Sequence, residues 1–252
     1  MVVRLLPAVL LCLALLGAPL RAEDGDEPVP ESVRKSTIKK LGKQLRKKAQ
    51  SPRAARHKDE ILTMLESLEV LGGWEAGKAA LEAVAFDDEE VRNRAFELAE
   101  TEHHAKLVKP LAAILEDKRY RKDHDARKRA ARSLSIMGDA SAMPPLTELI
   151  RTDEDREVLA MAADSLAVYS DGPHALRKDA VKRLVDVYTA TWNLMMSMRP
   201  EDKVIAAKMR KHWKAYGKSV RSALQALTGE QTLTRPQEWR EWWNENKKRR
   251  DW

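Results

Sequence analysis

Residues 90–153 decide the fold, and they read EVRNRAFELAETEHHAKLVKPLAAILEDKRYRKDHDARKRAARSLSIMGDASAMPPLTELIRTD. When this stretch is compared with itself at an offset of 35 residues, similar residues align without a gap. The matched pairs include Arg92 with Arg127, Arg94 with Arg129, Ala95 with Ala130, Ala105 with Ala140, Pro110 with Pro145 and Leu111 with Leu146. A fixed period of this length, with helical patterning inside each unit, is typical of an α-solenoid.

Each unit is predicted to contain two helices. In the second unit, residues 126–137 place Ala130 and Leu134 on one stripe at helical spacing, and Gly138 then ends the helix. Pro145 falls in the first turn of the next helix, where a missing backbone N–H costs little. A single hairpin of this kind cannot bury both of its faces, so we expect each hairpin to stack on the next.

The repeated motif resembles the HEAT-repeat family, and it reads Val91-Arg92-x-x-Ala95 and then Ala126-Arg127-x-x-Ala130 with Gly138-Asp139 after it. It is most similar to the short bacterial branch that shares repeats with the phycobilin-lyase-like proteins. The resemblance covers Lys58 to Tyr188 and implies stacked helical hairpins, but it implies almost nothing about activity.

The resemblance also implies a role for the arginine of the motif, which is Arg92 in the first unit and Arg127 in the second. In the family this arginine pairs with acidic residues of adjacent turns, so Arg92 and Arg127 are expected to form structural ion pairs. The third unit departs from the pattern, because Val158-Leu159-x-x-Ala162 lacks the arginine.

The whole chain of 252 residues is predicted to be all-α, an α-solenoid of HEAT-like hairpins with a C-terminal helical cap. It has few glycines, and 34% of its residues are charged. We expect a signal peptide at residues 1–22, an acidic spacer and a basic amphipathic helix at 23–57, repeats at 58–199, and C-terminal helices with a Trp-rich capping tail at 200–252.

The first 22 residues have the pattern of a cleaved secretory signal. Arg4 precedes an apolar run at residues 5–16, and Ala22 ends a plausible cleavage region. The alternative is an uncleaved membrane anchor, but the apolar run is short for a spanning helix of about 20 residues. Cys12 is the only cysteine and would leave with the signal. The chain is therefore expected to be exported, to a periplasm or the cell exterior.

Residues 34–58 form a basic segment, with eleven Lys or Arg residues and no acidic residue. Ile38, Leu41 and Leu45 share one helical face. The segment is predicted to cap the first repeat. The alternative is an electrostatic arm that binds nucleic acid, anionic lipid or an acidic envelope polymer.

The sequence predicts no catalytic residues, no cofactor and no metal. It has no Gly-x-Ser-x-Gly elbow and no glycine-rich phosphate loop, and His103, His104 and His124 lack the spacing of zinc ligands. We therefore expect a protein that is not an enzyme. HEAT-like DNA glycosylases and bilin lyases make an enzyme conceivable, but an export signal argues against both.

The expected function is a scaffold that binds another protein, because the second helices of such repeats line a concave face. The partner is expected to be acidic, since the candidate contact residues are mostly basic. Nucleic acid is disfavoured, and contact with a membrane surface is assigned to the basic N-terminal helix. The candidate residues are Lys78, Glu82, Lys106, Lys109, Glu148, Arg151, Lys178 and Lys182.

The C-terminal region carries two apolar clusters. The first extends a helix at Lys178–Met198 through Leu194 and Met196, and it is expected to fill core, with a docking surface as the alternative. Val204, Met209, Trp213 and Tyr216 are expected to line one broad face of the next helix.

The second apolar cluster is formed by Trp239, Trp242 and Trp243, which share one helical face. The tail is similar to tails on some secreted bacterial HEAT-repeat proteins. We expect Trp242 and Trp243 to be buried against the helix at Val204–Leu227, and the alternative is a site for glycan or proline-rich peptide.

Overall fold

A computed structural model describes residues 29–51, 53–198, 203–250 and 252, and the regular structure in this part of the chain is entirely helical. The predicted signal peptide at residues 1–22 lies outside the described residues. The helices are α1 (Glu31–Ala49), α2 (Lys58–Leu71), α3 (Gly73–Ala80), α4 (Glu89–Thr101), α5 (Val108–Glu116), α6 (His124–Ile136), α7 (Met143–Thr152), α8 (Arg156–Ala167), α9 (His174–Met196), α10 (Lys203–Thr228) and α11 (Pro236–Asn246). The prediction of an all-α fold is confirmed.

Short 3₁₀ segments separate several helices, and the chain divides into two compact units at Pro110, within α5. None of the helices in the ranges that the structure describes has the length and apolar content to cross a membrane.

In the first unit, α1 packs on α2, on α3 and on the 3₁₀ segment Leu81–Ala85 that follows α3. It buries the predicted face of Ile38, Leu41 and Leu45. A Cβ added at Gly42 would lie 3.2 Å from the Ala79 Cβ, so the small residues allow α1 and α3 to approach closely. The basic segment therefore contains an amphipathic helix that covers the first hairpin.

The turn between α2 and α3 is made by two glycines and is closed by an arginine of α1. Gly72 and Gly73 have φ values of 61° and 80°, in the left-handed region that favours glycine. Arg34 donates from Nη1 to the carbonyl oxygens of Leu71 at 3.0 Å and Gly72 at 2.6 Å. These bonds satisfy carbonyls at the C-terminal end of α2, which have no partner within that helix.

The second unit stacks its helices in two rows. One row places α6 on α8 and α8 on α10, and the other places α7 on α9 and α9 on α11. The pair α10 and α11 therefore continues the stacking of the hairpins before it. This arrangement corrects one expectation, because the tryptophan helix packs mainly on α9 rather than on α10.

The first helices of three hairpins begin with an aspartate cap. The carboxylates of Asp88, Asp123 and Asp155 accept the backbone N–H groups of Val91, Ala126 and Val158, at 3.2, 3.0 and 3.0 Å. A cap of this kind satisfies N–H groups that the helix itself leaves unpaired. The repeat is thus visible in the local hydrogen bonding as well as in the sequence period.

The two C-terminal apolar clusters behave differently from each other. Trp239 is fully buried, Trp243 is nearly so, and Trp242 is half-buried. Leu194 and Met196 are exposed, so the expectation that they fill core is wrong, and Val204 of α10 is exposed as well. The reason is that α9 and α10 extend beyond the helices that cover them, and only residues up to Thr191 of α9 and from Tyr216 of α10 are buried.

Candidate functional site

Four of the eight predicted contact residues lie in the first unit. Lys78 is exposed on α3, and Lys109 is exposed on α5. The Lys106 ammonium lies 4.6 Å from the centroid of the Trp74 ring, a cation–π contact that leaves its charge exposed. Glu82 is half-buried, and its carboxylate accepts a hydrogen bond of 2.7 Å from Arg46 Nε of α1. The acidic member of this group is therefore already paired within the chain.

The other four predicted residues lie in the second unit, on α7 and α9. Glu148 and Arg151 form an exposed ion pair, with 2.8 Å between Arg151 Nε and a Glu148 carboxylate oxygen. The pair with Arg151 holds the pKa of Glu148 below its usual value. Lys182 is exposed and Lys178 is half-buried. Among the described residues, the ammonium groups of Lys78, Lys109 and Lys182 have no ion pair, and neither does the exposed carboxylate of Glu116 on α5, so the unpaired charge at these positions is mainly cationic.

A groove of about 810 Å³ in the second unit lies between the C-terminal end of α5 and α7. Leu115 and Glu116 of α5 line one side, and Pro145, Glu148 and Thr152 of α7 line the other. It includes one of the predicted contact residues, Glu148. The groove is large enough for a side chain or a short extended segment of a partner.

The loops at the end of the groove carry opposite charges. The loop from α5 to α6 contributes Lys118, Arg121 and Lys122, which are all exposed, and Asp117, which pairs with Arg119. The loop from α7 to α8 contributes Asp153, Glu154 and Asp155. We call Lys118, Arg121 and Lys122 the basic wall of the groove, and we call the acidic loop opposite it the acidic wall. The basic wall was not predicted, although residues 118–122 read KRYRK and so contain a signal for it.

Two side-chain contacts connect α6 to the acidic loop that lines the groove. Arg127 of α6 pairs with Asp153, and their side chains are only 8% and 3% exposed. His124 Nδ1 lies 2.7 Å from a carboxylate oxygen of Asp155. These contacts tie the start of α6 to the start of α8, so they connect consecutive repeats. The prediction that Arg127 pairs with an acidic residue of an adjacent turn is confirmed. Arg92 instead pairs with Asp87, five residues before it in the chain, at 2.7 Å.

Burial and neighbouring charges shift the pKa values of Arg127 and Asp155. Burial lowers the pKa of the Arg127 guanidinium. Burial alone would raise the pKa of Asp155, but hydrogen bonds from the backbone of Val158 and the charge of His124 outweigh it, so that pKa lies below its usual value. Asp155 therefore stays ionised as the cap of α8.

The described residues contain no group of three or more His, Cys, Asp or Glu side chains arranged to hold a metal ion. His103 and His104 lie in the first unit and His124 in the second, so the histidines are also divided between the two units.

Comparison with protein-family models finds a match in the region of the repeats. The family model described as HEAT repeats matches residues 77–167. No curated protein matches the chain at a significant level. The matched stretch runs from α3 to the end of α8 and contains the predicted motif around Arg92 and Arg127. In this all-α chain, the match to HEAT repeats covers residues 77–167.

Proposed function

We propose that the chain is a non-catalytic binding module that holds an acidic protein partner against its second helices. HEAT repeats are commonly scaffolds for protein interaction and are generally not catalytic. The observation that carries the proposal is the charge that remains available on these helices. Lys78, Lys109 and Lys182 are exposed and free of ion pairs among the described residues, whereas Glu82 and Glu148 are paired within the chain.

The groove between α5 and α7 supports the same proposal. A carboxylate of the partner would meet Lys118, Arg121 and Lys122 at its basic wall. Opposite charges across an interface accelerate encounter and disfavour the wrong partners. The acidic wall opposite gives the groove a direction, because a partner segment of mixed charge fits in one orientation only.

Reversing two charges on the second-helix surface is expected to weaken partner capture. Lys106→Glu combined with Lys109→Glu replaces two attractive charges by two repulsive ones, and we expect capture from an extract of the native host to fall about tenfold or more. Capture is measured by quantitative crosslinking with the purified chain as bait. The circular dichroism spectrum is expected to be unchanged, since both side chains are exposed.

A matched charge reversal on α1 separates this proposal from its alternative. Lys39 and Lys43 are exposed on α1 and have no ion pair among the described residues, which favours α1 as a second candidate surface for an anionic polymer or lipid. Other cations of α1 are engaged, since Arg34 closes the α2 turn and Arg46 pairs with Glu82. Loss of capture in Lys39→Glu with Lys43→Glu, together with normal capture in the first variant, would contradict the second-helix proposal.

We also propose that the chain is exported, because residues 1–22 have the composition of a secretory signal. The partner would then lie in the periplasm or outside the cell. Intact-mass measurement on protein from the native host tests it. A chain that begins near Glu23 is expected, and a mass equal to that of the full 252-residue chain would contradict it.

A further inference from the structure

The end of the α9–α10 hairpin exposes apolar side chains that nothing in the described part of the chain covers. Leu194 and Met196 of α9 are 52% and 65% exposed, and Val204 and Ile205 of α10 are 83% and 53% exposed. Isolated exposed aliphatic residues are ordinary, but four toward one end of a hairpin call for an explanation, and we refer to these four as the patch.

Contacts along the hairpin show that the four residues share one end. Arg177 Nη1 of α9 donates to the carbonyl oxygen of Leu227 at 2.9 Å, and the rings of Trp192 and Trp213 are 5.2 Å apart. The two helices are therefore antiparallel. Residues that follow Trp192 and residues that precede Trp213 lie toward the same end, and none of residues 203–215 is buried. We call residues 192–196 and 203–213 the hairpin end.

The charges around the hairpin end are strongly cationic. Helix α10 contains seven Lys or Arg residues and no acidic residue, although Glu201 and Asp202 precede it in the sequence. The side chains of Lys203, Lys208, Arg210 and Lys211 are all exposed. No ion pair is formed by these four among the residues that the structure describes.

We propose that the hairpin end is a docking site for the surface of an anionic lipid bilayer. Val204 and Ile205, with Leu194 and Met196, would enter the boundary between head groups and acyl chains. The flanking cations would contact the phosphates of the head groups. An exposed aliphatic patch bordered by Lys and Arg is the composition of helices that bind in the plane of a membrane interface.

The combination of features favours a bilayer over other anionic partners. Nucleic acid would use the cations but would gain little from four exposed aliphatic side chains. A peptide partner would be better served by a groove, whereas these four side chains are exposed toward one end of two helices. Trp192 and Trp213, half-buried just behind the patch, belong to the residue type that is enriched at membrane interfaces.

Vesicle sedimentation tests the proposal with the full chain as isolated. We expect binding to vesicles of phosphatidylcholine with about one-third phosphatidylglycerol, and little binding to phosphatidylcholine alone, because each cation contributes near an anionic surface. Val204→Ser combined with Ile205→Ser is expected to weaken binding about tenfold or more, since two inserting side chains are lost. Lys208→Glu with Lys211→Glu is expected to weaken it by a similar factor and to reduce its salt dependence.

Val168→Ser is the matched control, because Val168 is 57% exposed in the same unit but lies at the end of α8, outside the hairpin end. It is expected to bind vesicles as the wild type does. The proposal is overturned if the wild type does not bind the anionic vesicles, or if the Val204 and Ile205 variant binds them normally. It is also overturned if light scattering shows a dimer that the same variant abolishes, since the patch would then be covered by a second copy. This surface is distinct from the residues of the proposed function, so either proposal can fail without the other.

Discussion

Replacing Arg127 by alanine is expected to lower the free energy of unfolding by about 3–5 kcal/mol, the usual cost of leaving one member of a buried ion pair without its partner. The Asp153 side chain is only 3% exposed, so the loss of the guanidinium leaves a largely desolvated carboxylate without its counter-charge. The pair also joins α6 to the loop before α8, so its loss affects two repeats at once. Denaturant unfolding followed by circular dichroism measures the effect.

Arg92→Ala is the matched control, because Arg92 occupies the same position in the preceding repeat. Its partner Asp87 is fully exposed, although Arg92 also donates to the carbonyl oxygen of Phe86 at 2.8 Å. A loss of no more than about 1–2 kcal/mol is expected there. Arg127→Leu with Asp153→Leu should recover part of the stability, because neither charge is then left buried alone. Equal losses for Arg92→Ala and Arg127→Ala would contradict this account of the repeat.

Trp239→Ala is the second substitution with a large expected effect. We expect it to lower the free energy of unfolding by about 3–5 kcal/mol. Trp239 is fully buried where α11 packs on α9, and it contacts Trp242 at 5.9 Å between ring centroids. Around it, Arg240 pairs with Asp186 of α9 at 2.8 Å. Removing the indole would empty the centre of this contact, so we expect thermal melts to show a much lower Tm and earlier aggregation.

Trp242→Ala serves as the comparison, because Trp242 lies in the same helix but is only half-buried. Trp242→Ala is expected to lower the free energy of unfolding by a smaller amount, about 1–2 kcal/mol, because less apolar surface returns to water. Trp239→Phe should be tolerated better than Trp239→Ala, because the Trp239 indole N–H makes no hydrogen bond within the described residues. Melts that rank Trp242→Ala as the more damaging of the two would contradict the packing of α11 on α9.

The sequence was sufficient to predict the features that repeat. The period that aligns Arg92 with Arg127 identified the hairpins, and Gly138, predicted to end its helix, has the positive φ value typical of such a glycine. Local patterns of this kind are set by backbone preferences and by helical spacing, which can be read without knowing which elements meet.

The features that depend on which helices meet could not be predicted in the same way. The tryptophan face of α11 was recognised, but its partner helix and its most buried member were not. Val204 lies in an apolar pattern and is nevertheless exposed, because nothing in the described chain covers that end of α10. The groove combines two loops about 35 residues apart, and its charges become neighbours only when consecutive repeats stack.

The measurement that most directly tests the central claim is site-specific photocrosslinking in the native host. A photoreactive residue is placed at Lys109 or Lys182 on the second helices, and at Glu97 or Arg132 on the first helices, all four positions being exposed. The proposal predicts that both second-helix positions capture the same acidic protein and that neither first-helix position captures it. Capture of that protein from Glu97 and Arg132 alone would contradict the claim that the partner binds along the second helices.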